Sequence, residues 1–380
     1  MKKIIFLSTQ SLNKRNYQRF GMKILKKNFF IEYWDLSFLN KAKSITKTDL
    51  DLKKKKIKNI IFNSFFSIIK KIYKINSSFY LIDFSSLSGL WVLIIKKFLT
   101  IKGAIKIYVS VGNTVESEKY IKKQKMFLLK KIMYKNFIYN FLSFKVKKIL
   151  KIFFFENYQF FFIGGKIEKK LLNIKNNYTY SHNLDYNIFL NLKYSRRKKK
   201  NYIVFLDQNL PNHSDYKILK IPNYINQNYY KNLKNFINKA EKIFKQKIIF
   251  CVHPRSSKND KYLKYFNNLR FNNTAEYIKN SSMVIGHDSL ALNFAVLWKK
   301  PILLLTVPGM EFSNKLQNIK YFSKLIKCNI YDIDGSNLKQ LKKNLKINHK
   351  KYNNFIKHYI KYKGEEKNSW EIFSKKINEN

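Results

Sequence analysis

Side chains able to do chemistry are concentrated in the second half of this 380-residue sequence. Four of the six histidines fall between residues 182 and 287. Each stands at the end of an apolar run typical of a buried strand, or in the loop that follows it. In open α/β sheets, ligands bind beyond the carboxyl ends of the strands. The positions of these histidines therefore predict a binding site along such an edge.

The sequence CVHPRSS puts His253 at the end of a predicted strand, with Arg255 and Ser256 directly behind it. An imidazole can donate a hydrogen bond to an anionic oxygen, and a guanidinium can contact such an oxygen with two N–H groups. These three residues are therefore predicted to bind a phosphate. The competing interpretation is a histidine that only caps backbone groups at a strand end.

The sequence GHDS, from Gly286 to Ser289, predicts a strand, a tight turn and the start of a helix. Free N–H groups and the helix dipole favour an anion at such a point. We predict His287, Asp288 and Ser289 as ligands of the same anion. Ordinary N-capping by Asp288 or Ser289 is an alternative that is compatible with this role.

Two further motifs keep both interpretations open. In FLDQNLPNHSD, which begins in the first predicted strand of the second half, Asp207, Gln208 and His213 are expected to line a cleft between two domains. The residues from 212 to 215 are equally well explained by a turn rich in Asn and Asp. The sequence YSHNLDY, residues 180–186, predicts a strand followed by a helix start, where function and capping are equally good explanations.

The elements needed to position these residues alternate along the chain as short apolar runs and longer amphipathic segments, the pattern of βαβ units. The predicted strands are 4–8, 29–37, 79–86, 105–113, 160–165, 201–208, 247–254, 283–288, 301–306 and 330–334. The main predicted helices are 53–74, 87–99, 117–150, 226–245, 258–266 and 289–298. The pattern predicts an α/β fold of two Rossmann-like domains with parallel sheets and an interdomain cleft. The charge run SRRKKKN separates an N-terminal domain, 1–195, from a second domain, 201–345. Helices in 346–380 are expected to pack back on the first domain, with Trp370 and Phe373 as anchors.

Metal and cofactor motifs are missing from the sequence. It contains neither a phosphate-binding loop of the GxxxxGK(S/T) type nor GxGxxG, and no Cys/His spacing fits zinc. Two D-x-D pairs occur, Asp49/Asp51 and Asp332/Asp334. The first pair precedes a lysine run, and the second reads as a strand entering a turn. The sequence therefore predicts a metal-independent site with no cofactor.

The formal net charge of +53 suggests an anionic partner, but only six of the 76 basic residues are Arg. Proteins that recognise nucleic acids depend on Arg for bidentate hydrogen bonds, so nucleic acid is disfavoured as the partner. The abundance of Lys, Asn, Ile, Phe and Tyr is typical of AT-rich codons, which accounts for much of the charge. A basic surface facing an anionic membrane is the preferred remaining role.

The sequence also predicts a cytoplasmic protein. Its two cysteines suit a reducing compartment. The first apolar run spans four residues, whereas a signal peptide needs roughly 7–15. No stretch reaches the ~18 uncharged apolar residues of a membrane-spanning helix.

The segments IIFCVHPRSS and MVIGHDSLALNFAVLWKKPILLL resemble the donor-binding domain of GT-B glycosyltransferases. A His-Pro pair after a strand, with a serine motif further on, is similar to bacterial sialyltransferases and related surface-polysaccharide transferases. The resemblance covers about residues 201–306. It implies His253 near the donor phosphate or nucleotide and Ser289 at the phosphate. Two features depart from the family pattern: Asp207-Gln208 stands in place of an acidic pair, and Asn293 in place of a ribose-binding Glu.

The resemblance implies a glycosyltransferase that uses a nucleotide-activated sugar, such as CMP-sialic acid, and a glycan or glycolipid acceptor. Its product would be surface polysaccharide or lipooligosaccharide, made at the inner face of the membrane. Inverting transfer needs a group that takes the acceptor proton, and Asp83, Glu116, Glu118 and His253 are the candidates. The alternatives are a non-enzymatic polyanion or nucleic-acid binder, and a GT-B-shaped epimerase or glycerophosphate-type transferase.

Overall fold

The computed structural model describes residues 1–39, 57–85, 90–112, 158–195, 201–213, 223–226, 228–312 and 314–379. Their strands form two separate sheets in which every pairing is parallel. This confirms the predicted fold class of two Rossmann-like α/β units.

The first sheet has seven strands in the order β3-β2-β1-β4-β5-β6-β7. They are β1 (Lys2–Ser8), β2 (Phe29–Asp35), β3 (Lys58–Ile61), β4 (Phe79–Asp83), β5 (Ala104–Val109), β6 (Phe160–Ile163) and β7 (Tyr178–Tyr180). The described helices of this half are α1 (Lys14–Arg19), α2 (Met22–Leu25), α3 (Phe65–Tyr73), α4 (Leu90–Ile101), α5 (Lys166–Leu171) and α6 (Leu184–Lys193).

The second sheet has six strands in the order β10-β9-β8-β11-β12-β13. They are β8 (Tyr202–Leu206), β9 (Lys247–Cys251), β10 (Leu269–Arg270), β11 (Met283–Gly286), β12 (Ile302–Thr306) and β13 (Asn329–Asp332). The helices described after residue 201 are α7 (Tyr229–Phe244), α8 (Thr274–Asn280), α9 (Leu292–Leu297), α10 (Asn314–Ile326), α11 (Leu338–Lys343), α12 (His349–Phe355) and α13 (Ser369–Asn378). In each sheet the strand order reverses beside the first strand of that half, which is where such folds bind ligands.

Burial on both faces explains why the strands are continuous apolar runs. The side chains of Ile4, Ile5, Phe6 and Leu7 in β1 are all fully buried, and β8 is buried along its whole length. Asparagine side chains cap four of the described helices; in the first half, Asn13 accepts the N–H of Asn16 and Asn183 accepts that of Tyr186. The strands that matter for the site are thus fixed by hydrophobic burial.

Several predicted elements differ from the observed ones. The helix predicted over 53–74 is strand β3 followed by α3, because Ser64 caps a new helix at Phe65. The helix predicted from Ser289 begins only at Leu292, and the one predicted over 258–266 is a short 3-10 helix, Lys261–Tyr265. The predicted helix 117–150 and most of the predicted linker, 196–200, lie outside the described residues. The domain boundaries stay predictions.

The C-terminal helix α13 packs into the core of the first half. Trp370 and Phe373 are buried there beside Phe6 and Phe29, and the Trp370 indole N–H donates to the Arg19 carbonyl at 2.8 Å. The pair Gly164-Gly165 serves the same packing: a Cβ at position 165 would lie 2.0 Å from the His358 carbonyl oxygen. The glycine pair therefore admits the returning chain.

Across the described helices, none combines the length and the apolar character that a bilayer crossing requires.

Candidate active site between the two sheets

The carboxyl edge of the second sheet brings three of the predicted motifs together. Strand β8 lies between β9 and β11, so the loop after β8 stands between the loops that carry His253 and Ser289. This is also the position where the strand order reverses. Asp207 and Gln208 therefore occupy the centre of the edge.

Asp207 organises one side of this edge. Its Oδ1 accepts the N–H of Asn209 at 2.7 Å, and its Oδ2 accepts the N–H of His253 at 3.0 Å and the Tyr262 hydroxyl at 2.7 Å. The Tyr262 hydroxyl also lies 2.9 Å from Ser256 Oγ. Burial raises the pKa of Asp207, although the hydrogen bonds oppose the shift. The carboxylate thus ties the loop that carries His253 to β8.

Gln208 bridges to the other side of the edge. Its amide nitrogen donates to the backbone carbonyl of Asp288. Its Oε1 is buried and accepts no hydrogen bond within the described part of the chain. An unpaired buried acceptor costs about 1–3 kcal/mol, and at the strand-order reversal a ligand donor would remove that cost.

His253 is half-buried, and its Nδ1 accepts the N–H of Arg255 at 3.3 Å. A neutral ring that accepts through Nδ1 carries its proton on Nε2. The ring of His213 lies beside it, with 5.2 Å between centroids. His253 thus has the tautomer required to donate to an anionic oxygen.

Ser289 and Asp288 of the GHDS motif both make hydrogen bonds within the protein. Ser289 Oγ accepts the N–H of Ala291 at 3.3 Å, a local turn contact, because the N-cap of α9 is Ala291 and no side chain caps that helix. The Asp288 carboxylate accepts the Asn318 amide N–H at 2.9 Å, and burial raises its pKa. Direct phosphate contact by Ser289 stays a prediction.

His287 lies beneath the site, which corrects its prediction as a ligand-binding residue. The side chain is 0% exposed. Its Nδ1 lies 2.9 Å from the Leu305 carbonyl, and its Nε2 lies 3.0 Å from the Tyr229 hydroxyl. Both ring nitrogens are used inside the protein, with Nδ1 donating and Nε2 accepting. The role of His287 is therefore to hold β11 against β12 and α7.

His287 makes stability fall on acidification. Burial lowers its pKa to about 4 from the ordinary 6.5. The unfolded chain therefore takes up a proton first, and the stabilising contribution, complete above pH 6.5, is lost as the pH falls towards 4. We expect the protonation of His287 to lower the free energy of unfolding by about 2 kcal/mol between pH 7 and pH 5. Urea unfolding at both pH values should show a shallower loss in His287→Asn. His349→Asn, at an exposed position, should keep the wild-type slope, and equal slopes in all three proteins would contradict the assignment.

Three carboxylates of the first half were predicted as catalytic bases, and the structure describes one of them. Asp83 is the last residue of β4, but its carboxylate is paired with the buried ammonium of Lys96 and accepts the N–H of Ser85 at 2.8 Å. These contacts are those of a structural carboxylate held inside the lobe, so the structure gives no support to Asp83 as a base. Glu116 and Glu118 lie outside the described residues.

Asp185 is a carboxylate that the sequence did not single out as a base. It stands in the first turn of α6, and its Oδ2 lies 3.5 Å from the amide nitrogen of Asn293 on α9 of the other half. Burial raises its pKa, opposed by the charge of Arg19, the Asn293 contact and the charge of Arg15. The neighbouring Asn183 amide nitrogen is buried and donates no hydrogen bond within the described ranges. Asp185 is thus a desolvated carboxylate where the two halves meet.

Arginine side chains lie near Asp185, where the two halves meet, although Lys far outnumbers Arg in this chain. Arg19 donates to the Val111 carbonyl at 2.8 Å. Desolvation lowers the pKa of Arg15, and so do the charges of Arg19 and, from the second half, Arg255, whereas Asp185 raises it. Positive groups whose charges disfavour one another favour an anion in their neighbourhood.

Within the described residues, no group of three or more His, Cys, Asp or Glu side chains is arranged to hold a metal ion.

Comparison with known proteins identifies the fold. No family model and no curated protein matches the sequence. Among solved structures, CalG4, the calicheamicin glycosyltransferase, is similar over 94% of this chain and 93% of its own, with 7% identity and a TM-score of 0.52. The wall teichoic acid polymerase TagF, as an H444N variant, is similar over 100% and 90%, with 11% identity and a TM-score of 0.52. The UDP-GlcNAc 2-epimerase of Methanocaldococcus jannaschii, in complex with UDP-GlcNAc and UDP, is similar over 100% of both chains, with 13% identity and a TM-score of 0.50. At these identities the likenesses establish the two-domain GT-B fold alone.

Proposed function

We propose that this chain is a metal-independent glycosyltransferase that uses a nucleotide-activated sugar. The observation that supports this most is the polar layer at the strand-order reversal of the second sheet. There, Asp207 fixes the loop of His253, and Gln208 offers a buried amide oxygen that accepts no hydrogen bond from the described residues. The solved structures with the same fold include glycosyltransferases and an enzyme bound to UDP-GlcNAc.

The proposed chemistry divides between the two halves. The nucleotide lies along the edge beyond β8, with its phosphate near His253 Nε2–H and the guanidinium of Arg255. Asp185 takes the proton of the acceptor hydroxyl as that oxygen attacks the anomeric carbon. The bond between that carbon and the donor phosphate breaks, and the charge left on the phosphate is stabilised by His253, Arg255 and Arg15.

The finer identity of the substrates is part of the proposal. Arg15 and Arg19 supply cationic groups that suit a sugar bearing a carboxylate, so CMP-sialic acid leads the donor candidates. The acceptor is a glycan or glycolipid of surface polysaccharide or lipooligosaccharide synthesis, used at the inner face of the membrane. Product analysis separates transfer from the epimerase and glycerophosphate-transferase alternatives, since only transfer joins the sugar to the acceptor.

Nucleotide binding tests the donor site through Gln208. A ligand at a hundred times its Kd stabilises the folded state by about 2.7 kcal/mol. We therefore expect one of the CMP-, UDP- or GDP-sugars to raise the melting temperature of the wild-type protein. Gln208→Met should lose most of that shift, because the amide oxygen no longer accepts from the ligand.

The matched control is Gln317→Met, at an exposed position on α10, which should respond like the wild type. The donor site would be wrong if none of the nucleotide sugars stabilised the protein, or if both variants kept the full shift.

A further inference from the structure

Two outer helices of the first half hold large apolar side chains in solvent. The exposed fractions are 77% for Phe66 and 63% for Tyr73 on α3, and 53% for Trp91 and 68% for Ile101 on α4. Ile61, at the end of the edge strand β3, is 58% exposed. Single exposed apolar residues are normal, but neighbouring ones indicate an interaction surface.

These side chains belong to one surface, which we call the α3–α4 face. The ring of Phe65 lies 4.6 Å from that of Trp91 where both helices begin. Where they end, the Lys102 ammonium lies 5.5 Å from the ring centre of Tyr73. The two helices therefore run side by side. Phe66, Lys70 and Tyr73 are spaced by four and three residues, which aligns them along one side of α3.

Lysines surround the apolar groups of this face. Lys70, Lys71 and Lys74 line a groove of about 360 Å³ together with Ile60, Ile61, Phe62, Asn63, Ser64 and Ser67. Lys97 is exposed on α4. From residue 57 to residue 112 the sequence contains a single acidic residue, Asp83, and its carboxylate is paired with Lys96. Within residues 57–112, no further acidic side chain balances the positive charge of the face.

Aromatic and aliphatic side chains ringed by lysines match the surface of a bilayer that contains anionic lipids. Trp and Tyr favour the headgroup level, and Lys extends its ammonium towards lipid phosphates while its methylene stem stays on apolar surface. Lysines close to an anionic leaflet strengthen the attraction to it. Nucleic acid fits less well, because residues 57–112 contain no Arg.

We propose that the α3–α4 face docks the protein on an anionic membrane, with Phe66 and Trp91 entering the interface and the lysine groove contacting lipid phosphates. This inference goes beyond the proposed catalysis and does not depend on it. Its test needs no activity measurement.

The experiment measures binding of the full chain to vesicles by sedimentation. The vesicles contain either phosphatidylcholine alone or phosphatidylcholine with phosphatidylglycerol. We expect binding to the anionic vesicles, and we expect the partition coefficient of Phe66→Ser/Trp91→Ser to fall about tenfold. A general attraction of the +53 charge would instead leave the double variant unchanged, which would overturn the proposal.

The matched control is Leu171→Ser/Tyr265→Ser, which changes side chains that are 54% and 49% exposed away from this face. It should bind like the wild type, and an equal loss would count against the proposal.

A second measurement uses the wild-type protein and lipids with brominated acyl chains. Of the four tryptophans, Trp34 and Trp370 are buried, Trp298 is half-buried and Trp91 is exposed, so quenching that is lost in Trp91→Phe would place Trp91 at the bilayer. Absence of quenching would contradict its insertion.

Discussion

Replacing Asp185 with Asn should lower turnover about a thousandfold while making the fold more stable at neutral pH. Loss of a positioned base typically costs 10²–10⁴ in rate. The stability gain has a separate cause. Burial holds the pKa of Asp185 above its ordinary 3.8, so the charged form is the one that the folded state disfavours. Asn has the same shape without that charge and can still face the Asn293 amide.

The pH dependence of the gain distinguishes this carboxylate from an ordinary helix-capping one. Because the folded-state pKa of Asp185 is raised, its protonated form contributes stability below pH 3.8, and that contribution is lost as the pH rises through the folded-state pKa. The advantage of Asn over Asp should therefore be full at neutral pH and shrink on acidification. Thermal unfolding from pH 8 down to pH 4 would measure it.

Two results would contradict the role of Asp185. One is a variant that retains more than a tenth of wild-type turnover. The other is a variant that is less stable than the wild type at neutral pH, since that is what removing a favourable charge from the first turn of α6 would do. Asp332→Asn, at an exposed position, is the matched control and should leave turnover unchanged.

The sequence was sufficient for the architecture because burial leaves a direct trace in it. Runs such as Ile4–Leu7 and Tyr202–Leu206 are apolar throughout, which is what a parallel sheet covered on both faces requires. The pattern failed over 53–74, where apolar residues spaced for a helix also supply a short edge strand. There, Ser64 decides the boundary between β3 and α3 through a capping bond.

The candidate site was only partly predictable, because side-chain direction and long-range contacts leave no such trace. The sequence placed His287 at a strand end, but its ring points inward to the Leu305 carbonyl. Asp83 lies inside an apolar run of the sequence, and its partner in the structure is Lys96 on the following helix, α4. Asp185 lay in a motif already noted, yet its neighbour Asn293 is 108 positions away.

His253→Ala is the second variant with a large expected effect, a fall in turnover of about a hundredfold. A single preorganised donor to a developing negative charge contributes about 10²–10³ in rate. The Nδ1 of His253 accepts the Arg255 N–H, so the proton of the neutral ring lies on Nε2, the nitrogen that we propose donates to the phosphate as the bond to the sugar breaks. We expect the KM for the donor to change much less than kcat, because the charge develops in the transition state.

Asp207→Asn should reproduce part of that loss without touching the substrate, because Asp207 positions His253 through its backbone N–H. Each carboxylate oxygen accepts a backbone N–H, from Asn209 on Oδ1 and from His253 on Oδ2. Either orientation of an Asn amide therefore faces an N–H with its own NH₂, which should cost about 1–3 kcal/mol of stability. If His253 acts from the place where Asp207 holds it, the losses of turnover in the double variant will be less than multiplicative. Fully multiplicative losses, or a His253→Ala enzyme as active as the His349→Ala control, would remove His253 from the reaction.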